Sequence, residues 1–191
     1  MIEVFDTTAA RSALARRKLR CPDCGQPLRP WGRARARTIR ELGGGVLAVI
    51  PDRARCTGCD VTHVVLDAGL LPRRAYAAGL IGQALVAAAW GRGHRLIARD
   101  LEVPCGTVRG WVRRARRSAG QLRAAGVQAV VALDPDALPA QARPGQLAYA
   151  LDAPGAAAMA LGDRFGVPHA SPWARVTVLT RGRLLTLSPD G

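Results

Sequence analysis

Cys21-Pro-Asp-Cys24-Gly and Cys56-Thr-Gly-Cys59-Asp are two C-x-x-C pairs separated by 31 residues, and no other feature limits the fold of this chain as strongly. Two residues between cysteines let a tight turn aim both sulfurs at one point, with Gly25 and Gly58 supplying the freedom such turns need. Two turns of this kind complete a tetrahedral thiolate shell with no open position. That predicts one Zn2+ on Cys21, Cys24, Cys56 and Cys59, structural rather than catalytic. A lone C-x-x-C is also a redox motif, but no βαβ pattern surrounds either pair. Thr38–Leu42, Gly43–Gly45 and Val46–Ile50 read as strand, turn and strand, and Val61–Leu66 as a further strand. The layout is a zinc ribbon over 19–70, preceded by an N-terminal helix or arm over 1–18. Its core is thin, so the metal is expected to hold it together. His63 alternates with apolar neighbours and is expected to be a surface or packing histidine. Cys105 falls in a helical segment far downstream and is expected to be small and half-buried.

Charge supplies the next constraint. The chain carries 28 basic residues against 14 acidic ones, and every basic residue except Lys18 is arginine. A GC-rich coding bias would explain the arginine-to-lysine ratio, but not its distribution. Residues 1–123 hold 23 basic and 9 acidic residues, whereas 124–191 hold 5 of each. The first two-thirds therefore look like an electrostatic footprint for an anionic polymer or surface. A tetrathiolate zinc lowers the working charge only to about +12, with Arg20, Arg53 and Arg55 near in sequence to offset it locally. The ribbon's Arg29, Trp31, Arg33, Arg35, Arg37 and Arg40 suit either nucleic acid or a solvated strand edge; if the segment is extended, 33, 35 and 37 share a face. Residues 1–6 lack a signal pattern, and the apolar stretch Ala77–Trp90 is interrupted by Gln83 and too short to span a bilayer. A cytoplasmic, nucleoid-associated location with reduced cysteines is expected.

Helical periodicity begins after Leu71. Pro72 can open a helix in which Ile81, Ala84, Leu85 and Ala88 fall at i, i+3, i+4 and i+7, ending at Trp90-Gly91. A short helix from His94 to Leu101 turns Ile97, Ala98 and Leu101 inward. After Glu102-Val103, Pro104 can start a third helix with Val108, Trp111, Val112 and Ala115 inward and Gly106, Arg109, Gly110, Arg113 and Arg116 outward. A small residue between the helices (Ala98), an apolar turn residue (Val103) and apolar anchors on the second helix are what a helix-turn-helix over 71–118 demands. Glu102 stands where glycine is favoured, at a cost of ~1 kcal/mol. In the helix-turn-helix reading double-stranded DNA is the partner. Arg109 is the candidate for a base edge, and Arg95, Arg99, Thr107, Arg113 and Arg116 are candidates for phosphates.

The run Cys21-Pro-Asp-Cys24-Gly, Pro30-Trp31-Gly32, Arg53-Ala-Arg-Cys56-Thr-Gly-Cys59-Asp-Val-Thr62-His63 resembles the zinc-ribbon start of insertion-sequence transposases and their accessory proteins. Gly91-Arg-Gly-His94-Arg, Val103-Pro and Thr107-Val-Arg-Gly-Trp111-Val-Arg-Arg are similar to transposase-type helix-turn-helix segments. Together, over roughly residues 18–118, they resemble an actinobacterial zinc-ribbon/helix-turn-helix family associated with insertion-sequence transposases. The resemblance implies binding to element ends or to a promoter and no established reaction. Glu102 and Cys105 depart from the glycine and polar residue usual there.

The remainder is predicted helical, from Ser118 to Leu133 with Leu122, Val127, Val130 and Val131 for packing, and from Gln146 to Leu161 with a kink or split at Pro154-Gly155. Asp134–Pro139 and Ala142–Gly145 are breakers. Ser171-Pro172-Trp173 suits a helix start, although Val176–Thr180 and Arg183–Leu187 would also suit a hairpin. The fold class is α+β: a small N-terminal β zinc ribbon, then a mainly α helix-turn-helix bundle and C-terminal helices that pack or oligomerise. A DDE-type transposase would need three carboxylates on a strand-rich core, and only Asp134, Asp136, Asp152, Asp163 and Asp190 follow the helix-turn-helix. The sequence reading is therefore not an enzyme but a DNA-binding accessory or regulatory protein, with a transposase or a second copy of itself as further partners. A protein-interaction adaptor and a divergent or truncated transposase are the alternatives.

Overall fold

The computed structural model describes residues 1–134, 144–167 and 169–186. The fold is α+β. Strand β1 (Ile2–Val4) and helix α1 (Thr7–Ala15) precede β2 (Leu28–Arg33), β3 (Arg37–Arg40), β4 (Val46–Val49), β5 (Asp52–Cys56) and β6 (Thr62–Asp67). Six helices follow: α2 (Ala78–Ala89), α3 (His94–Asp100), α4 (Cys105–Arg117), α5 (Ala119–Leu133), α6 (Gln146–Phe165) and α7 (Pro172–Leu179). The two breaker segments lie largely outside the described residues, as do Asp136 and Asp190.

Four strands form one sheet in the order β1-β6-β5-β2, with Cys56 at the end of β5, β1 parallel to β6 and the other pairs antiparallel. The N-terminal helix or arm expected over 1–18 comprises strand β1 and helix α1. Asp6 Oδ1 accepts from the Ala9 N–H at 2.9 Å and caps α1. That helix sets Ala10 and Leu14 on Leu28, Ala54, Cys56 and Val65, a core small enough to need a covalent or metal staple. The hairpin β3–β4 turns through Leu42–Gly44, with Gly43 at φ +80° and Gly44 at +83°. Ile39, Leu66 and Leu70 form a separate small cluster that fastens β3 to β6.

Several expectations are corrected. The first helix opens at Ala78, six residues beyond Pro72. Backbone hydrogen bonds of the intervening segment go to β3 instead: the Arg40 N–H donates to Ala75 O at 2.8 Å and the Ala77 N–H to Arg40 O at 2.9 Å. Arg33, Arg35 and Arg37 do not share one strand, because β2 ends at Arg33 and β3 begins at Arg37. Pro154 neither splits nor ends α6, which runs from 146 to 165. It sits where Gly126 of α5 crosses, and a Cβ on Gly126 would lie 2.4 Å from Pro154 N, so neighbouring backbone crowds the position. Val131 is exposed; α5 packs through Ala119, Leu122, Gly126 and Val130. Residues 172–179 are helical, as the Ser171-Pro172-Trp173 start suggests and unlike the hairpin alternative, with the Ser171 hydroxyl accepting from the Ala174 N–H at 3.1 Å.

The helical half shares one core. Ile81, Ala84, Leu85 and Ala88 of α2, Ile97 and Ala98 of α3, and Val108, Trp111, Val112 and Ala115 of α4 bury together. Leu147 and Ala158 of α6 and Val176 of α7 complete the cluster. Tyr76 meets Trp111 edge-to-face, with centroids 5.0 Å apart and planes at 78°.

Candidate metal centre and nucleic-acid interface

Two knuckles of matching geometry present the four cysteines. In the first, the Cys21 N–H donates to Gln26 O and Gly25 takes φ +72°; in the second, the Cys56 N–H donates to Val61 O and Asp60 takes φ +62°. Both donations are 2.9 Å long. The left-handed residue directly follows the second cysteine each time, so Asp60, not Gly58, is the counterpart of Gly25. Gly58 is required by crowding instead, because a Cβ there would lie 2.7 Å from Gln26 Cγ. The N–H groups of Gly58 and Cys59 point at Cys56 Sγ at 3.3 and 3.4 Å.

The four sulfurs all lie within 4.8 Å of one another. Cys21 Sγ is 3.7 Å from Cys59 Sγ, and Cys24 Sγ is 3.3 Å from Cys56 Sγ, with no disulfide among them. A tetrahedron with metal–sulfur bonds of about 2.3 Å has edges of about 3.8 Å, so the donors are gathered at the spacing of a tetrathiolate site. Burial raises the Cys56 thiol, but the N–H groups of Cys59 and Gly58 and the neighbouring thiols bring it down to about 6. The Val61 N–H lowers the Cys59 thiol, but burial and the sulfurs of Cys56, Cys24 and Cys21 push it up to about 12. One thiolate forms readily and opposes the next, a conflict that a divalent cation among them relieves.

His63 is a buried neighbour of this cluster. Its Nε2 lies 3.4 Å from Cys21 Sγ and its Nδ1 3.3 Å from the Met1 amino group, with Asp23 Oδ2 at 3.7 Å. Burial and the Met1 amino group hold its pKa below the ordinary value against the opposing pull of Asp23. The period-2 alternation that marked it as a packing residue gave no sign of the sulfur beside it. Cys105 is exposed in the first turn of α4, not half-buried, because it lies one turn before Arg109 on the solvent side of the helix.

The arginines predicted to meet DNA fall on α3 and α4. Arg95 and Arg99 are exposed on α3, but Arg99 is not a free cation: its Nη2 is 3.1 Å from Asp100 Oδ1. Asp100 also pairs with Arg92, and these two arginines hold its carboxyl below the usual carboxylate range. Thr107 is half-buried in the first turn of α4. Arg109, Arg113 and Arg116 are exposed and line one concavity with Val112 and His94. His94, at the start of α3 and absent from the predicted DNA contacts, joins them because α3 packs against α4. Arg114 turns away from this group. It is half-buried, and Gly110 leaves room for its guanidinium, since a Cβ there would lie 3.3 Å from Arg114 Nη2. Burial, then repulsion from Arg74, Arg113 and Arg117, lowers its pKa.

The chain is similar over residues 21–97 to a family described as a domain of unknown function (DUF6431). The matched stretch begins at the first cysteine of the cluster and ends in α3, one turn before Glu102. No curated protein and no solved structure matches the chain. Among the described residues, no helix is long and apolar enough to cross a membrane.

Proposed function

We propose that the protein binds duplex DNA without catalysing a reaction on it, as an accessory or regulatory protein of a mobile element. Helices α3 and α4 act as the helix-turn-helix, and one structural Zn2+ sits on Cys21, Cys24, Cys56 and Cys59. The observation that carries the reading is the two-sidedness of α4. Val108, Trp111, Val112 and Ala115 are buried, while Arg109, Arg113 and Arg116 stand on the solvent side around one concavity. No acidic residue lies in the first turn of α4, so its N-terminal N–H groups and positive dipole end suit a phosphate. Gly106 and Gly110 offer no side chains, which leaves Arg109 nearly alone for base edges, so phosphate contacts and DNA shape carry most of the affinity. The mobile-element role rests on the sequence resemblance alone. A strand-transfer reading is disfavoured because Asp152 and Asp163 lie eleven residues apart on α6. That is about 16 Å along the axis, far beyond a shared two-metal site.

Duplex binding measured against salt tests the proposal. About four phosphate contacts imply roughly a hundred-fold loss of affinity for a fourfold rise in salt. Arg113→Ala should weaken all sequences alike, and Arg109→Ala should flatten sequence preference. Absence of duplex binding even at low salt refutes the proposal, and equal loss of preference from both variants refutes the division of roles.

A further inference from the structure

The ribbon sheet has a second face, turned away from the sulfurs. Along β2, Leu28 is fully buried while Arg29 and Trp31 alternate outward; along β5, Ala54 and Cys56 are buried while Arg53 and Arg55 alternate outward. Register sets Arg29 directly opposite Arg55, a like-charge pair that ordinarily destabilises a sheet. Both guanidinium groups reach Trp31. The guanidinium carbon of Arg29 is 4.5 Å from its ring centroid and that of Arg55 4.7 Å, while the indole stays 39% exposed. Pairing of β2 with β5 breaks between Pro30 and Arg33, where Gly32 takes φ +76°, so an irregularity in the strand sets the direction of the indole.

The two stacked arginines are not equivalent. Arg55 is fixed by Asp60 through Nε–Oδ1 and Nη2–Oδ2 contacts of 3.1 Å each. Arg29 and Arg53 have no acidic partner among the described residues. The site therefore combines an aromatic surface, one guanidinium anchored by a carboxylate and two cations without one.

We propose that this face binds single-stranded nucleic acid, with an unpaired base stacked on Trp31 and the flanking phosphates on Arg29 and Arg53. Base–aromatic stacking outweighs an exposed cation–π contact, so the base displaces the Arg29 guanidinium, which swings to the adjacent phosphate. Arg55 stays behind, held by Asp60. A duplex cannot use the ring, because its bases are already stacked on one another. The surface shares no residue with the α3–α4 face and does not depend on that face binding DNA.

The test uses the full zinc-loaded chain and a labelled twelve-nucleotide oligo-dT, with a random duplex alongside. Trp31→Ala should weaken oligo-dT binding about ten-fold, and Trp31→Phe should retain most of it. Arg29→Ala should reduce the slope of log affinity against log salt by about 0.7, the loss of one single-strand phosphate contact. Duplex affinity should be unchanged in all three, whereas a combined Arg113→Ala and Arg116→Ala variant should lose duplex and keep oligo-dT. Oligo-dT affinity unchanged in Trp31→Ala, an equal loss of duplex and oligo-dT, or competition by poly-glutamate as effective as by unlabelled oligo-dT would each overturn the proposal. If Trp31→Ala fails to fold, the salt slope of Arg29→Ala decides.

Discussion

Replacing Glu102 by glycine should make the protein more stable. Glu102 follows α3 and its C-cap Leu101, and it takes φ +53°. Its N–H donates to Arg99 O at 3.2 Å, and the Val103 N–H donates to Ala98 O at 2.9 Å. Those two bonds are the paired closure of a Schellman motif, whose left-handed position glycine usually fills. A left-handed L-residue costs roughly 1–2 kcal/mol, and glycine returns about 0.4–1 kcal/mol of that as unfolded-chain entropy. The Glu102 side chain is exposed and makes no ion pair among the described residues, so nothing else is lost. The net gain is about 0.5–1 kcal/mol, or about 1–4 °C in Tm for a chain of this size. Thermal unfolding followed by circular dichroism, with zinc buffered, reads it directly. Glu102→Ala retains the strain and should leave Tm nearly unchanged. A Tm lowered by Glu102→Gly, or raised equally by Glu102→Ala, refutes the account.

Gly126→Ala should destabilise the α5–α6 packing by about 2 kcal/mol, because the new Cβ meets the backbone of Ala153 and Pro154, which cannot rotate away. Gly120→Ala on the same helix meets nothing within 4 Å and should stabilise by about 0.5–1 kcal/mol; urea titrations that rank the two in the opposite order contradict the assignment. Glu3 is partly desolvated and one carboxylate oxygen is buried without a hydrogen-bond partner, and burial raises its pKa above 4.5 despite the Met1 amino group, Arg181 and Arg183. Its folded-state pKa exceeds the unfolded one. The stability linked to protonation is therefore present below pH 4.5 and lost as pH rises through the folded value. Glu3→Gln should then raise Tm at pH 7 with the advantage shrinking towards pH 4, and a pH-independent difference would exclude this cause.

The parts legible in the sequence are those fixed by short-range rules. The C-x-x-C spacing marked both knuckles because it dictates a local turn, and the four sulfurs do gather. Apolar periodicity placed α3 and α4 closely because their inward residues all enter one core. What escaped is long-range. Strand β1 is three residues long and exists through parallel pairing with β6, sixty residues away, so no local pattern announces it. Residues 72–77 could have been a first helical turn by propensity, but β3 claims their backbone. Pro154 would ordinarily break a helix; here its ring packs at the crossing with Gly126, and tertiary contact overrides propensity. Arg99 and Arg109 are both exposed, but the structure pairs Arg99 with Asp100 and sets Arg109 in the α3–α4 concavity, a division that the apolar periodicity does not carry.

With zinc on the four cysteines as proposed, its removal should unfold the ribbon and then loosen α4. The sulfur cluster belongs to a small core of seven buried residues that includes Cys21 and Cys56. Structural zinc contributes an apparent ~10–16 kcal/mol in comparable sites, more than so small a core can supply. The helical core shares no residue with it, so the helices should outlast the ribbon. They are nonetheless connected. Leu66 of β6 packs with Ile39 of β3, Arg40 of β3 holds the 75–77 segment by two backbone bonds, and Tyr76 meets Trp111 of α4. Once the ribbon opens, Tyr76 loses its backbone anchor, and the edge contact on Trp111, worth about 0.5–1.5 kcal/mol, weakens. Progressive chelation, or Cys56→Ser, should therefore unfold the ribbon while the helices stay folded, and the helices should then melt in a separate transition on heating. Hydrogen exchange should accelerate first in β5 and β6 and then, more modestly, in α4. Unchanged stability after chelation means the four cysteines do not form a metal site. A single transition that melts ribbon and helices together means the two cores are one cooperative unit, and that α4 depends on the sulfur cluster for its existence and not only for its alignment.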